Sequence, residues 1–396
     1  MRRVSDPGAV RISLRPGVRG SIWPHGSTGD AMEIELPGPE EPKPPYGRTA
    51  HPYYLHDMIR SQPSAIAKTV SAIRSEARSI PPPPPDRTLL FTGMGTSFHA
   101  ARASAWAAAS AFEYELPIRA VDAFDLLLEP DLLRRAGTAI IFSSSGETAL
   151  TLRAQSALRA ARVPVILITG TPTSRSGALA DHRLLTQEAN DAAWVHTVSY
   201  TTAIAAALTL LDEWTGAPSV EPTAIEGAVR SVVEREEDWK HLAVRLDPRP
   251  QVLCLGSGPA ETTAREAALK LREGAARYVV AAGVEEFLHG ILPSIDASVA
   301  ALAVATSDLD RRRAVTSLAA AARAGAESVL FARGLPNGES PNEFELPKVE
   351  AALTPIVDIV PFQFLTYWLA VGRGRNPDVM GFDDPRILAA RSGYGI

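Results

Sequence analysis

A strand-then-helix unit that occurs twice is the feature that most constrains the fold of this chain. In the first half "LLFTGMGTS" ends an apolar stretch in a glycine turn and opens a helical pattern, and "VLCLGSGPA" repeats this order in the second half. Strands that alternate with helices favour a parallel sheet. The sequence therefore predicts an α/β protein with two tandem doubly wound (Rossmann-like) domains, each a parallel sheet flanked by helices.

Proline- and glycine-rich segments predict the domain boundaries. "GPEEPKPPYG" is typical of an extended linker, and "TGAPSVEPTA" separates the two repeated units. We predict a Pro/Gly-rich extension over residues 1–50, a first domain over 51–217 and a second domain with a C-terminal tail over 218–396. The second domain is predicted to open with one helix over residues 225–246.

Composition and charge exclude several classes of protein. The net charge of −5 offers no basic surface for nucleic acid. A single cysteine, Cys254, excludes an intramolecular disulfide and makes a cysteine metal site improbable. No apolar segment follows Arg2 and Arg3, as one would in a secretory signal. The longest uncharged window, residues 192–211, is too polar for an easy membrane span. We expect a cytoplasmic protein that binds neither nucleic acid nor membrane.

Two clusters of small hydroxyl residues follow predicted strands of the first domain. They are "GMGTSFHA" at residues 93–100 and "SSSGET" at 143–148. Parallel sheets bind ligands at the carboxyl ends of their strands, where helix N-termini favour phosphate. Each cluster alone is as compatible with a tight turn that carries ordinary helix caps as with a phosphate site. The two clusters together favour a phosphorylated ligand. "GMGTS" lacks the third glycine of a dinucleotide fingerprint, so NAD is not expected.

The second domain carries a set of charged side chains on one predicted helix. Glu266, Lys270 and Glu273 stand at positions i, i+4 and i+7, which share a helix face. A solvated charge stripe is the alternative interpretation. Only five of the 40 basic residues are lysines, so Lys270 suggests a role for a compact charge. His289, sixteen residues after Glu273, is a candidate acid–base residue, and no metal-ligand spacing is present.

This combination of motifs resembles the tandem sugar isomerase (SIS) domain family. It is similar to the isomerase half of glucosamine-6-phosphate synthase and to related amino-sugar-phosphate isomerases and deaminases. "GMGTSFHA" resembles the family's G-x-G-T-S-x-x-A loop, "SSSGET" its S-x-S-G-E-T loop, and "ALKLREG…EEFLHG" its A-L-K-L-K-E…E-x-x-H-G stretch. The resemblance covers roughly residues 52–390.

The resemblance implies a role for each of these residues. Glu273 would move a proton between C1 and C2 of an open-chain sugar, and Lys270 would contact the substrate. His289 would help to open the ring in the neighbouring subunit's site, which implies a homodimer. Gly95 belongs to the phosphate loop, and Ser144 stands where the synthase usually has Gln. Five hydroxyl residues would bind the sugar phosphate: Thr96, Ser97, Ser143, Ser145 and Thr148. This chemistry needs no metal and no redox cofactor.

The sequence also departs from the family pattern. The first residues hold no cysteine nucleophile, so we expect no glutaminase activity. Ala390 stands where the synthase has a C-terminal lysine, and Ile291 replaces the proline of H-G-P. His196 occupies the position of a family serine, and we include it among the residues expected to bind the substrate. The sugar pocket is therefore expected to differ from that of the synthase.

Three functions are compatible with these observations. The first is a phosphosugar aldose–ketose isomerase acting on a hexose or amino-hexose phosphate, with ammonia-dependent amination or deamination at C2 as an additional reaction. The second is a non-catalytic regulatory protein that binds a sugar phosphate. The third is a biosynthetic SIS enzyme with altered chemistry, which His196 and Ser144 suggest.

Overall fold

Two five-stranded parallel sheets form the framework of the chain. A computed structural model describes residues 47–335 and 342–391. The predicted extension, residues 1–50, lies outside the described residues except for its last four. The α/β class and the two doubly wound units predicted from the sequence are confirmed, because every strand pair in both sheets is parallel.

The first sheet is built from the first half of the chain. Its strands are β1 (Thr88–Gly93), β2 (Ile118–Asp122), β3 (Ala136–Phe142), β4 (Val165–Thr169) and β5 (His182–Leu185). They lie in the order β2-β1-β3-β4-β5, so the strand order reverses between β1 and β3. Ligands of doubly wound sheets bind at this reversal, outside the carboxyl ends of the two strands.

The second sheet repeats this arrangement with the second half of the chain. Its strands are β6 (Gln251–Gly256), β7 (Tyr278–Gly283), β8 (Val299–Val304), β9 (Glu327–Ala332) and β10 (Glu343–Glu345), in the order β10-β9-β8-β6-β7. The sequence did not predict β2, β7 or β10. All three are edge strands that are only partly buried. β2 and β10 lack the continuous apolar run that marks an interior parallel strand, whereas β7 has such a run and was missed all the same.

Fifteen α-helical segments accompany the sheets in the described part of the chain. In order they are α1 (Tyr54–Ser79), α2 (Thr96–Ala111), α3 (Ala123–Leu128), α4 (Pro130–Arg135), α5 (Ala149–Ala160), α6 (Arg175–Leu179), α7 (Val198–Thr215), α8 (Pro222–Val233), α9 (Glu236–Leu246), α10 (Pro259–Ala275), α11 (Val284–Glu286), α12 (Asp308–Arg323), α13 (Thr354–Asp358), α14 (Val360–Gly372) and α15 (Pro385–Arg391).

The predicted single helix over residues 225–246 is wrong, because the chain forms two helices there. α8 ends at Val233 and α9 begins at Glu236. Three acidic residues, Glu236, Glu237 and Asp238, occupy the first turn of α9. Negative charge favours a helix N-terminus, which gives a physical reason for a new helix to begin at this point.

One large apolar core joins the two halves of the described structure. It includes buried residues of α1, α2 and α7 from the first half and of α10 and α14 from the second. The boundary between residues 217 and 218 therefore stays a prediction.

Residues Ala351–Gly372 are long and apolar enough to cross a membrane by length and composition, but 83% of that window is buried in the protein. α10 packs against α2 within this core, which brings charged residues of the second half to the first sheet.

Candidate active site

A cavity of about 360 Å³ opens at the carboxyl edge of the first sheet, beside the reversal in strand order. The loops after β1 and β3 line it together with the start of α7 and one residue of α10. Nine residues singled out in the sequence line this cavity: Gly95, Thr96, Ser97, Ser143, Ser144, Ser145, Thr148, His196 and Glu273. Residues that are up to 178 positions apart in the sequence therefore share one pocket.

Two glycines shape the loop between β1 and α2. Gly95 has φ of +55°, a conformation that side chains disfavour. A Cβ atom at Gly93 would lie 2.8 Å from the carbonyl carbon of Ser97 and 3.0 Å from the carbonyl oxygen of Phe142. The missing side chains let the loop turn sharply and let α2 begin close to the sheet.

The N-termini of α2 and α5 both reach this cavity. Their N-cap residues, Gly95 and Thr148, make no side-chain cap hydrogen bond. The first N–H groups of the two helices are therefore not satisfied by a side chain of their N-cap residues. Backbone N–H groups at helix N-termini, together with the helix dipole, favour an anion, and phosphate is a common one.

The serine loop after β3 is arranged to donate hydrogen bonds. The Oγ atom of Ser143 accepts from the backbone N–H of Gly146 at 3.1 Å, and the Oγ atom of Ser145 accepts from that of Glu147 at 3.2 Å. Each hydroxyl proton is then left to donate to a ligand. We call Thr96, Ser97, Ser143, Ser145 and Thr148 the hydroxyl cradle.

Ser144 is held by the neighbouring strand. Its backbone carbonyl accepts from the hydroxyls of Thr169 and Thr171, each at 3.0 Å, and from the N–H of Gly170 at 3.2 Å. These bonds tie the serine loop to the end of β4. The loop therefore has a fixed backbone when a ligand arrives.

A buried charge cluster lies beside the cradle. Glu266 and Lys270 have no exposed side-chain surface, and Glu273 is 18% exposed. The ammonium Nζ of Lys270 lies 2.7 Å from Oε2 of Glu273, 3.5 Å from Oε1 of Glu266 and 2.9 Å from Oγ1 of Thr96. The solvated charge stripe considered from the sequence is therefore wrong, because the packing of α10 against α2 covers this face.

The charges in this cluster stabilise one another. Burial by itself would lower the pKa of Lys270, but the carboxylates of Glu273 and Glu266 outweigh burial and raise it. Burial would likewise raise the pKa of Glu266, and Lys270 and His99 hold it below its usual value. The Nδ1 atom of His99 lies 2.6 Å from Oε2 of Glu266. Of Glu266, Lys270 and Glu273, it is Glu273 that lines the cavity.

His289 is not at this cavity in the chain described. It lies in a π-helical turn over Phe287–Ile291 rather than in a loop, and its side chain is 78% exposed. Its Nε2 atom is 3.5 Å from Oε2 of Glu285. The role expected for His289 in a neighbouring subunit stays a prediction.

Sequence reasoning missed part of the cavity wall. Thr169, Trp194, Tyr200 and Met380 also line the cavity. Thr169 ends β4, the strand next to β3, so the carboxyl-edge rule applied to a third strand would have found it. Met380 follows α14 near the end of the described chain, and no sequence pattern connects it to the pocket.

The corresponding edge of the second sheet lacks such a cradle among the described residues. α10 begins with Pro259, which has no N–H, and carries Glu261 in its first turn. At the start of α12 the hydroxyl of Ser307 and the carboxylate of Asp310 cap each other's backbone. These N-terminal groups are unsuited to an anion, so the helix N-termini that favour an anion lie in the first half.

Comparison with known proteins agrees with this placement. A profile of the SIS domain matches residues 85–211. The isomerizing glutamine–fructose-6-phosphate aminotransferase of Pyrococcus horikoshii is 29% identical over 352 residues, which cover 85% of this chain and 57% of that protein. The chain thus spans a little over half the length of this curated relative.

Solved structures share the fold at low sequence identity. Tagatose-6-phosphate ketose/aldose isomerase from Escherichia coli superposes with a TM-score of 0.72 at 19% identity, covering 84% of this chain and 97% of that one. Glucosamine-6-phosphate deaminase from Thermotoga maritima gives a TM-score of 0.69 at 20% identity, with 82% and 96% covered. The chain therefore contains a SIS domain and is a homologue, over most of its own length, of the isomerizing glutamine–fructose-6-phosphate aminotransferases.

Proposed function

We propose that the chain is a phosphosugar aldose–ketose isomerase acting on a hexose phosphate or an amino-hexose phosphate. The observation that carries this proposal is a single cavity lined by the hydroxyl cradle and by Glu273, whose carboxylate lies 2.7 Å from the buried ammonium of Lys270. The names of the similar proteins, which include an isomerizing aminotransferase, a ketose/aldose isomerase and a deaminase, support it.

The cradle binds the phosphate group without a positively charged side chain. Its serine hydroxyls, the hydroxyl of Thr148 and the N-termini of α2 and α5 supply neutral donors, whereas the hydroxyl of Thr96 already donates to Oε1 of Glu266 at 3.2 Å. A phosphate held in this way fixes one end of an extended sugar chain. The cavity of about 360 Å³ is large enough for a small phosphorylated ligand.

Glu273 is the base that moves a proton between C1 and C2. The ammonium of Lys270 donates a hydrogen bond to its Oε2 atom at 2.7 Å and so orients the carboxylate. The carboxylate removes the proton from C2 and returns it to C1, which passes through an enediol or an enolamine. A positioned acid or base of this kind contributes about 10²–10⁴-fold to the rate.

The same proposal includes a reaction at an amino group on C2. It also describes the chain as a homodimeric, cytoplasmic protein. Ammonia-dependent amination or deamination at C2 uses the same proton transfer, and two of the similar proteins are named for amino-group chemistry. The exposed position of His289 suits a residue that acts in a second subunit. The burial of 83% of the apolar window in Ala351–Gly372 suits a helix of the protein core rather than a membrane span.

The test is an assay of the purified chain with fructose 6-phosphate and ammonium, glucosamine 6-phosphate and tagatose 6-phosphate. We expect interconversion of at least one of these and a loss of about 10²–10⁴-fold in Glu273→Gln. Glu237→Gln, at a 69% exposed position of α9, is the control and should keep full activity.

A thermal-shift titration distinguishes catalysis from sensing. A ligand at a hundredfold excess over its Kd stabilises the folded state by about 2.7 kcal/mol. If sugar phosphates stabilise the wild type and Glu273→Gln equally and neither protein turns any of them over, the regulatory alternative replaces the isomerase. The buried Glu266–Lys270 pair beside the cavity is the observation that favours catalysis.

A further inference from the structure

His196 and Asp191 form a pair at the wall of the cavity. The proton transfer between C1 and C2 by Glu273 does not involve this pair. His196 lines the same cavity as Glu273, and its side chain is 39% exposed. Its Nδ1 atom lies 3.0 Å from the Oγ atom of Ser199 and 3.5 Å from Oδ2 of Asp191. Asp191 has no exposed side-chain surface.

The orientation of this pair is set by the start of α7. Oδ1 of Asp191 accepts from the backbone N–H groups of Thr197 and Val198 at 3.0 and 3.2 Å, and Oδ2 accepts from that of Ser199 at 3.1 Å. Burial by itself would raise the pKa of Asp191, but the neighbouring His196, Ser199 and Thr197 hold it below its usual value. A carboxylate fixed in this way is a permanent anchor for one edge of the imidazole.

The other edge of the ring is available to a ligand. Within residues 47–335 and 342–391, Nε2 of His196 has no hydrogen-bond partner, whereas Nδ1 is directed to Ser199 and Asp191. Ser199 and the buried Asp191 thus orient the ring at Nδ1 and leave Nε2 to exchange a proton with a ligand, which is the arrangement of an acid–base histidine. His289, by contrast, lies outside the cavity of the chain described.

We infer that His196 is the acid–base residue that exchanges protons with the sugar oxygens at C1 and C2, while Glu273 exchanges protons with the carbons. This inference rests on the proposed isomerase function. It divides the reaction between His196, which lies two residues before α7, and Glu273, which lies near the end of α10.

The two groups complete the reaction without another reactant. Glu273 takes the proton from C2 of the open-chain aldose, and the C2–H electron pair forms the C1–C2 double bond. The carbonyl oxygen at C1 takes a proton from the imidazolium of His196, which gives a neutral enediol. His196 then removes the proton from the oxygen at C2 as that carbonyl forms, and the C1–C2 pair takes the proton from Glu273. Both side chains return to their starting states.

The experiment compares His196→Ala, His196→Asn and His241→Ala on the substrate that the wild type turns over. Since an acid–base group contributes about 10²–10⁴-fold, we expect both His196 variants to lose kcat by this factor, with KM little changed. Imidazole added to the buffer should restore part of the activity of His196→Ala, whose side chain leaves a space open to solvent. His241, exposed on α9, is the matched control and should behave as the wild type.

Chemical rescue separates a proton-transferring role from a structural one. Rescue of His196→Ala by imidazole supports the inference, since an added ring cannot repair a distorted helix start. The inference is overturned if His196→Ala keeps wild-type kcat, or if its loss is not recovered by imidazole while the shape-conserving His196→Asn stays active. A wild type that is inactive on every sugar phosphate tested instead overturns the proposed function, and the two failures are thus distinguishable.

Discussion

Replacing Lys270 by Met tests whether the buried Lys270 and Glu266 depend on each other for the stability of the folded protein. Lys270 and Glu266 have no exposed side-chain surface, and the lysine is the neighbour whose positive charge does most to keep Glu266 ionised. Removing one partner of a buried ion pair costs about 3–5 kcal/mol, because the other charge stays buried without compensation. At roughly 2 °C per kcal/mol for a large domain, Tm should fall by about 6–10 °C.

Two further variants make this expectation specific. The double variant Lys270→Met/Glu266→Gln should recover most of the lost Tm, because it removes the uncompensated carboxylate as well. Lys68→Met breaks an ion pair whose two side chains are 54% and 55% exposed, so it should cost no more than about 1 kcal/mol.

Differential scanning calorimetry gives the Tm of the wild type and of the three variants, Lys270→Met, Lys270→Met/Glu266→Gln and Lys68→Met. The reasoning is refuted if Lys270→Met melts with the wild type, or if the double variant melts as low as the single one. The activity assay should show both Lys270 variants to be inactive, since the recovered stability does not restore the ammonium beside Glu273.

Three other variants test separate parts of the structure. The pKa of Glu266 is lowered in the folded state, so its contribution to stability is present above the unfolded-state pKa and is lost as pH falls through the folded-state pKa. Glu266→Gln should therefore flatten the decline of Tm at pH values below 4.5, the ordinary pKa of a glutamate. The same decline of Tm at acid pH in the variant as in the wild type would contradict this. Ser145→Ala removes a hydrogen bond to a charged phosphate worth about 1.5–3 kcal/mol, so KM should rise roughly 10- to 150-fold with kcat largely kept, while Ser231→Ala, exposed on α8, should leave both constants unchanged. Gly93→Ala puts a Cβ atom 2.8 Å from the backbone of Ser97 and should lower the urea unfolding free energy by about 1–3 kcal/mol, whereas Gly227→Ala, where a Cβ meets open space, should not lower it.

The sequence was sufficient for the interior of both sheets. Strands such as β1 and β4 are buried along nearly their whole length, and this burial requires the continuous apolar runs that the sequence displays. The edge strand β2 has no such run, which is why it went unpredicted. The break between α8 and α9 escaped prediction because the apolar spacing continues across it.

The components of the candidate site were visible in the sequence, but their environment was not. The hydroxyl clusters and the spacing of Glu266, Lys270 and Glu273 are local patterns that follow directly from the order of residues. Local spacing is the same for a solvated face and for a buried one, so it could not show that Lys270 is completely buried. It also gave no reason to connect Asp191 with His196, since that pairing depends on how the chain turns before α7.

By itself, therefore, the sequence determined the alternation of strands and helices, the two hydroxyl loops and the charged face of α10. Only the tertiary structure decided that these parts meet. The strand order places the ends of β1 and β3 side by side, and the packing of α10 against α2 brings Nζ of Lys270 within 2.9 Å of Thr96, 174 residues earlier in the chain. Such contacts depend on the burial of one apolar core shared by both halves, a property of the whole chain rather than of any segment.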